Sequence, residues 1–264
     1  EITMAELFKT KGYETGMAGK WHLGEELQSV PTSQGFDEYH VGILQTTDVT
    51  LYPESMKRAR MPQKAIDAAT SWIWESQPGT KELKKIRPYD LEYRAEIESD
   101  IAASSVDFIK RKAAAKQPFF LYIGWSDVHY PGLPNKEFEG KSSMGQYGDM
   151  VMELDHRTGQ VLDALKAAGV EENTIVIWLS DNGPVHMQTP GLSDYMGSSA
   201  GPFRGEVGDV LEGSLRVPAI IKWPGHIKPG VSNEMVSVHD FFPTLANIIG
   251  AEVPKDRPID GVDY

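Results

Sequence analysis

Three short apolar runs stand out along the chain, each bounded by polar or turn-forming residues. They are FFLYIGW at 119–125, TIVIWLS at 174–180 and RVPAIIKW at 216–223. Continuous apolar runs of this length are typical of strands, and the first two predict strands that are buried on both faces. We therefore predict a strand at each of the three positions.

Apolar residues at helical spacing predict helices before, between and after these strands. The predicted helices cover residues 2–11, 63–76, 91–115, 147–168 and 241–249. Gly12, Gly169 and Gly250 follow three of them, and glycine is favoured just beyond a helix end. Residues 13–22 predict one more strand, partly polar, whereas residues 30–44 have the composition of a turn-rich connection.

Strands that alternate with helices predict an α/β fold with a mostly parallel central sheet and helices on both faces. In such sheets the functional residues collect where the strands end, at their carboxyl side. Residues 45–95, apart from the predicted helix, are irregular and polar.

Composition limits the classes of function that the chain can have. It has 264 residues, no cysteine and a formal net charge of -12. The acidic balance argues against a nucleic-acid partner, because such binding depends on Lys and Arg neutralising phosphates. It leaves an anionic small substrate open, since a local basic cluster can outweigh the overall sign. No apolar run approaches the roughly 20 residues that a membrane span needs, and no signal peptide is visible.

The first candidate chemistry lies in GYETGMAGKWHLG, residues 12–24. In an extended segment, Lys20 and His22 would leave the same face, and the flanking glycines would let a ligand approach closely. A cation and an imidazole in one space suit an oxyanion such as sulfate or phosphate. The same pattern also fits a strand with an exposed lysine and a core histidine, so it carries weight only with other evidence.

Two further strand ends carry polar residues. Asp181 and Asn182 directly follow the strand predicted at 174–180, and their oxygens suit Ca²⁺ or Mg²⁺. His129 follows the strand predicted at 119–125, where an imidazole could contact a ligand. Taken alone, Asp-Asn-Gly-Pro is also a common turn and His129 a common surface residue. Their shared position beyond predicted strands is what an α/β active site requires.

The sequence resembles the sulfatase family of the alkaline-phosphatase-like superfamily over nearly its whole length. The matching stretches are GYETGMAGKWHLG, GFDEY, PFFLYIGWSDVHYP, YGDMVMELDHRTGQVLDAL, TIVIWLSDNGP, EGSLRVPAIIKWPGHI and DFFPTLANIIG, in this order. The resemblance implies that the chain is a catalytic core domain, residues 1–264, incomplete at both ends. It also implies that residues 45–95 are a family-variable insertion.

The resemblance implies hydrolysis of sulfate monoesters, as in arylsulfatases, and assigns roles to the candidate residues. Lys20 and His22 would contact the sulfate and the nucleophile. His129 would bind the sulfate or protonate the leaving oxygen. Asp181 and Asn182 would hold a divalent metal, usually Ca²⁺. The nucleophile of the family is formylglycine, made from Cys or Ser in a C/S-x-P-x-R motif.

Two features depart from the family pattern. No C/S-x-P-x-R motif occurs in the chain, so we expect a fragment that begins after it and shows no sulfatase turnover alone. We also expect it to bind calcium more weakly than the intact protein would, because two oxygen donors are fewer than Ca²⁺ prefers. Val207 stands where the family usually has a sulfate-binding lysine, and Arg204 is the candidate replacement.

Two alternatives stay open at this point: a phosphatase or phosphonate ester hydrolase of the same superfamily, and a non-catalytic metal- or anion-binding relative. The expected partner is a small-molecule or glycan sulfate ester, with no nucleic acid and no membrane span. The resemblance favours a periplasmic or extracellular location over the cytoplasm. The oligomeric state and the natural ester do not follow from the sequence.

Overall fold

The computed structural model describes residues 2–76, 80–185 and 198–264. Its helices are α1 (Met4–Lys9), α2 (Leu51–Arg58), α3 (Gln63–Ala69), α4 (Leu91–Arg94), α5 (Ile97–Ala114), α6 (Gly145–Ala167), α7 (Glu212–Leu215) and α8 (Phe241–Ile248). Its strands are β1 (Glu14–Lys20), β2 (Glu38–Ile43), β3 (Trp72–Ser76), β4 (Leu83–Pro88), β5 (Phe119–Gly124), β6 (Val176–Leu179) and β7 (Ala219–Lys222). Within these three ranges, no helix combines the length and apolar character needed to cross a bilayer.

The central sheet has five strands in the order β4-β3-β2-β1-β5. Strand β1 lies in the middle of the parallel part, paired with β2 on one side and β5 on the other. Strands β3 and β4 continue the sheet in antiparallel fashion. Strands β6 and β7 form a separate antiparallel pair. The α/β class is therefore confirmed, but the sheet is mixed rather than mostly parallel.

Helices cover both faces of the sheet. Neighbouring side chains of β1 point to opposite faces, so this strand contacts helices on both sides. Ala18 packs on one face against Ile97 and Ile101 of α5. Met17 packs on the other face in a cluster with Ala5 of α1. The prediction of helices on both faces is confirmed, and β1 is held between two apolar layers.

Two predictions from the sequence pattern were wrong in detail. The composition of residues 30–44 predicts a connection, yet β2 (Glu38–Ile43) lies within it as a strand between β1 and β3. The helix predicted over 63–76 ends at Ala69, and the chain continues as β3. The aromatic residues of β3 favour a strand, and its pairing with both β2 and β4 settles the conformation. Residues 45–95 are thus largely regular in structure.

Strands β5 and β6 form where they were expected, but they are not buried on both faces. Tyr122 of β5 is 50% exposed and Leu179 of β6 is 36% exposed. Strand β5 is the last strand of the five-stranded sheet, so in the described part of the chain only one of its edges is paired. An apolar run predicts a strand, but it does not reveal how many neighbours that strand has.

Candidate functional site

The ends of three strands bring the predicted polar residues to one region of the molecule. Lys20 is the last residue of β1, His129 lies in the loop that follows β5, and Asp181 follows β6. Strands β1 and β5 are parallel neighbours in matched register, so their carboxyl ends lie side by side. This arrangement places the loop of His129 next to Lys20.

Two glycines allow β1 and β5 to approach closely just before Lys20. Gly19 lies opposite Gly124 in the strand register. A Cβ atom at Gly19 would meet the carbonyl oxygen of Gly124 at 2.1 Å, and a Cβ atom at Gly124 would meet the Lys20 carbonyl oxygen at 2.3 Å. Gly19 also has a left-handed backbone, with φ of 91°. Only glycine fits at both positions without moving the strand that carries Lys20.

Lys20 connects the end of β1 with the end of β6. Its Nζ atom lies 3.8 Å from Oδ2 of Asp181, a long ion pair. The Lys20 side chain is only 15% exposed, whereas that of Asp181 is 73% exposed. The cation is therefore held within the protein surface, while the carboxylate remains accessible to a ligand or to a metal.

His129 lies partly buried beside Lys20. Burial lowers the pKa of His129 below the usual value for histidine, and the nearby Lys20 and Arg94 cations add to this effect. A hydrogen bond to the backbone of Tyr130 and the Asp48 carboxylate act in the opposite direction. The neutral imidazole is therefore favoured at neutral pH, next to a fixed positive charge.

His22 departs from the expectation that it leaves the same face as Lys20. The strand ends at Lys20, and His22 has a left-handed backbone with φ of 55°, which turns the chain. Its side chain is exposed and lines an open pocket of about 380 Å³, together with Thr46 and Tyr52 among others. The i, i+2 rule therefore does not apply here, although the pocket begins at the same strand end.

The loop that carries Arg204 and Val207 packs against the turn of Asp181 and Asn182. The amide of Val207 donates to the carbonyl of Pro184 at 2.8 Å, and the amide of Gly183 donates to the carbonyl of Ser214 at 2.8 Å. Val207 itself is 41% exposed and brings no charge. Arg204 lies on the same loop with an exposed side chain, and its guanidinium forms no ion pair within the described residues. The carbonyl of Arg204 accepts from the amide of Gly213 at 2.8 Å, so the backbone connects Arg204 to α7 next to Ser214.

Asp181 and Asn182 offer the type of oxygen donor that a hard divalent cation prefers, but two residues supply too few donors. Both side chains are exposed, and both carry oxygen donors of the type that Ca²⁺ prefers. The Asn182 amide nitrogen donates to the Gly183 carbonyl at 2.8 Å, so its orientation is fixed locally. No group of three or more His, Cys, Asp or Glu residues suited to a metal occurs in the described residues. These two residues can form part of a metal site, and Ca²⁺ would need further donors.

A buried ionic network under the His129 loop was missed by the sequence analysis. Arg94 is fully buried, and its Nη2 donates to Oδ1 of Asp127 at 2.7 Å and to the carbonyl of His129 at 3.0 Å. Oε1 of Glu98 accepts from the amides of Ser126 and Asp127, each at 2.9 Å. The one signal available was a charged i, i+4 pair, Arg94 and Glu98, beside the apolar positions of α5. The network fixes the backbone from which His129 projects.

Comparison with known proteins gives a consistent result. The family model described as Sulfatase matches residues 1–251. N-acetylgalactosamine-6-sulfatase of Canis lupus familiaris is 34% identical over 270 residues, covering 100% of this chain and 48% of that protein. Arylsulfatase A of Homo sapiens is 33% identical over 282 residues, covering 100% of this chain and 50% of that protein. The chain thus spans about half the length of the curated relatives that it matches.

Solved structures agree with the sequence relatives. The crystal structure of the PsFucS1 sulfatase from Pseudoalteromonas sp. superposes with a TM-score of 0.89 at 29% identity, covering 100% of this chain and 54% of that one. The structure of Ps i-CgsB in complex with k-i-k-neocarrahexaose superposes with a TM-score of 0.76 at 26% identity, covering 98% of this chain and 56% of that one. The likeness therefore extends over all of the described elements.

Proposed function

The chain belongs to the sulfatase family, and from that premise we propose that the protein containing it hydrolyses sulfate monoesters. The proposal rests on one observation: Lys20, Asp181 and His129 lie close together at neighbouring strand ends. Nζ of Lys20 lies 3.8 Å from Oδ2 of Asp181, and the positive charge of Lys20 helps to lower the pKa of His129. A partly buried cation, an exposed carboxylate and an imidazole form a site for an anion and its metal counter-ion.

Each of these residues has a distinct part in the proposed reaction. Lys20 binds a sulfuryl oxygen, and its positive charge stabilises the negative charge that this group carries in the transition state. His129 exchanges a proton with the leaving oxygen. His22, on the rim of the open pocket, contacts the sulfate from the solvent side. Arg204 is the candidate for the cation that Val207 does not supply.

Sulfatases generally use a divalent metal together with formylglycine. We propose Ca²⁺ as the metal, with Asp181 and Asn182 as two of its ligands. When bound, the metal would polarise sulfuryl oxygens as a Lewis acid. Asp181 would then exchange its long contact with Lys20 for the metal, leaving the lysine free for the substrate.

The nucleophile of the proposed reaction comes from outside the 264 residues. The chain contains no cysteine and no S-x-P-x-R sequence: Ser29-Val30-Pro31 continues as Thr32-Ser33, and Ser76-Gln77-Pro78 continues as Gly79-Thr80. Formylglycine therefore has no precursor here. We also propose that residues 1–264 belong to one catalytic core domain, with 45–95 as the part that varies between relatives.

The names of two similar proteins support a class of ester, and the family resemblance supports a location. One relative is named N-acetylgalactosamine-6-sulfatase, and one structure holds k-i-k-neocarrahexaose. On that basis we propose a glycan sulfate ester as the natural substrate and a periplasmic or extracellular location. The relatives reported above give no support to a phosphatase or phosphonate hydrolase.

The test compares sulfate and phosphate esters on the full-length protein. We expect kcat/KM for 4-nitrophenyl sulfate to exceed that for 4-nitrophenyl phosphate. We also expect Lys20→Ala to lower kcat/KM for the sulfate about 10²- to 10³-fold, the usual loss when a donor to developing charge is removed. The exposed Lys136 serves as the matched control, and Lys136→Ala should leave the rate unchanged.

Two results would overturn the proposal. One is a preference for the phosphate ester. The other is a Lys20→Ala enzyme that hydrolyses the sulfate as fast as Lys136→Ala.

A further inference from the structure

The side chain of Thr47 reaches His129 from a distant part of the sequence. Thr47 lies in the turn after β2, is fully buried and is 82 residues from His129. Its Oγ1 atom lies 2.6 Å from Nδ1 of His129 and 2.7 Å from the carbonyl oxygen of Tyr130. The same Nδ1 atom lies 2.7 Å from that carbonyl. Three polar atoms thus form a closed triangle at one edge of the imidazole ring.

Only one arrangement of hydrogens satisfies all three contacts. The carbonyl of Tyr130 can only accept, so the hydrogen of the Thr47 hydroxyl points to it. An unprotonated Nδ1 would then face two oxygen lone pairs at hydrogen-bond distance. A protonated Nδ1 instead donates to both oxygens, shared between Thr47 Oγ1 and the Tyr130 carbonyl, while the Thr47 hydroxyl donates to the same carbonyl.

From this triangle we infer that Thr47 is a positioning residue that keeps the fixed proton of His129 on Nδ1 and the exchangeable proton on Nε2. The inference rests on the proposed function for its catalytic consequence, but the protonation pattern itself follows from the contacts alone. Thr47 acts through His129 and does not touch the substrate.

The charges around His129 make the choice of tautomer important. Lys20 and Arg94 face the ring as cations and Asp48 as an anion, and burial favours the neutral form. A neutral imidazole has two tautomers, whereas an imidazolium has none. Since the neutral form is favoured, the group that selects between the tautomers decides which nitrogen can take up and release a proton.

The consequence for the reaction is a defined path for one proton. The imidazolium carries hydrogens on both nitrogens. As the S–O bond breaks, its electron pair goes to the leaving oxygen, which takes the Nε2 hydrogen. The sulfuryl group passes to an attacking oxygen nucleophile, the alcohol leaves, and neutral His129 remains protonated on Nδ1. Solvent then restores the Nε2 proton.

The kinetic test uses the dependence on the leaving group, which a merely structural role would not change. We compare Thr47→Val and Thr47→Ser in the full-length protein on 4-nitrophenyl sulfate and on a sulfate ester of a simple sugar. A poor leaving group needs the proton more than nitrophenolate does. Thr47→Val should therefore lower kcat/KM for the sugar ester about 10- to 100-fold, in the range found for groups that orient a functional imidazole. The loss on the nitrophenyl ester should be clearly smaller, and Thr47→Ser should restore both rates.

The second test needs no activity and compares the wild type with Thr47→Val. Nitrogen-15 NMR of histidine-labelled protein reports which ring nitrogen carries the hydrogen, and His129→Asn identifies the signals. We expect neutral His129 to be protonated on Nδ1. A hydrogen on Nε2 in the neutral ring would overturn the inference, as would equal losses on both esters in Thr47→Val. If the protein hydrolyses no sulfate ester, while Nδ1 is protonated in the wild type and less so in Thr47→Val, the proposed function fails and the positioning role of Thr47 stands.

Discussion

At the scale of single residues, the support of the His129 loop is a buried group of charges rather than apolar packing. One cation, Arg94, faces two carboxyl groups, Glu98 and Asp127, and all three are almost completely buried. Burial raises the pKa of both carboxyl groups, although the nearby Arg94 cation opposes this. Arg157 also acts on Asp127 and Glu153 on Glu98, so two cations face three carboxyl groups and the group favours a bound proton.

The bound proton gives a prediction for the pH dependence of stability. The folded state holds the proton of Glu98 more tightly than the unfolded chain, whose carboxyl pKa is near 4.5. The free energy of unfolding should therefore fall as the pH rises above that value, by at most about 1.4 kcal/mol per pH unit. Glu98→Gln mimics the protonated acid and should remove this decline, as measured by urea unfolding between pH 5 and 9.

The exposed Glu139 provides the control, since Glu139→Gln should follow the wild-type curve at each pH. A Glu98→Gln protein whose stability declines with pH as steeply as the wild type would show that Glu98 is ionised in the folded state.

The candidate residues also show what a sequence can reveal at this scale. Lys20, His129 and Asp181 follow strand ends, so their approximate place could be predicted from local pattern. The partnership of Thr47 with His129 spans 82 residues, and the sequence around Thr47 carries no sign of it. His22 was misjudged because a non-glycine residue with φ of 55° departs from the extended conformation that spacing assumes.

At the scale of elements, the apolar pattern identifies strands better than it identifies their surroundings. Strands β5, β6 and β7 lie within predicted stretches because short apolar and β-branched runs are typical of strands. Strand β1 lies within the partly polar stretch 13–22. Strand β2 was missed since polar and turn residues surround it. Strand β3 was taken for helix because its conformation depends on cross-strand partners in β2 and β4.

The approach of β1 to β5 leads to a prediction about stability. Gly12 and Gly19 both have left-handed backbones, so alanine costs about 1–2 kcal/mol at either position. Only at Gly19 would the new Cβ atom strike another strand, at 2.1 Å from the Gly124 carbonyl oxygen. Thermal or urea unfolding should show that Gly19→Ala destabilises the protein by about 1–3 kcal/mol more than Gly12→Ala, because of this overpacking.

Gly12 is a fair control because nothing lies within 4 Å of the position that its Cβ atom would take. Equal losses of stability in the two variants would mean that β1 and β5 can separate at their ends without cost. The end of β1 would then not be a rigid support for Lys20.

At the scale of the whole molecule, the net charge of -12 and the proposed anionic substrate are compatible. The positive charge that an anion needs is local, supplied by Lys20 at a strand end, and a cleft can concentrate such a field. A bound divalent metal would add to it. The acidic balance of the whole chain argues against a nucleic-acid partner.

The most direct measurement is a crystal structure of the full-length protein with a hydrolysis-resistant aryl sulfate analogue. We predict a sulfuryl oxygen within about 3.2 Å of Lys20 Nζ, and the oxygen that links the sulfuryl group to the aryl ring within about 3.2 Å of His129 Nε2, as in ordinary hydrogen bonds. A metal ion should lie between the sulfuryl group and Asp181. An analogue whose sulfuryl group binds away from both Lys20 and His129 would contradict a shared anion site at these strand ends.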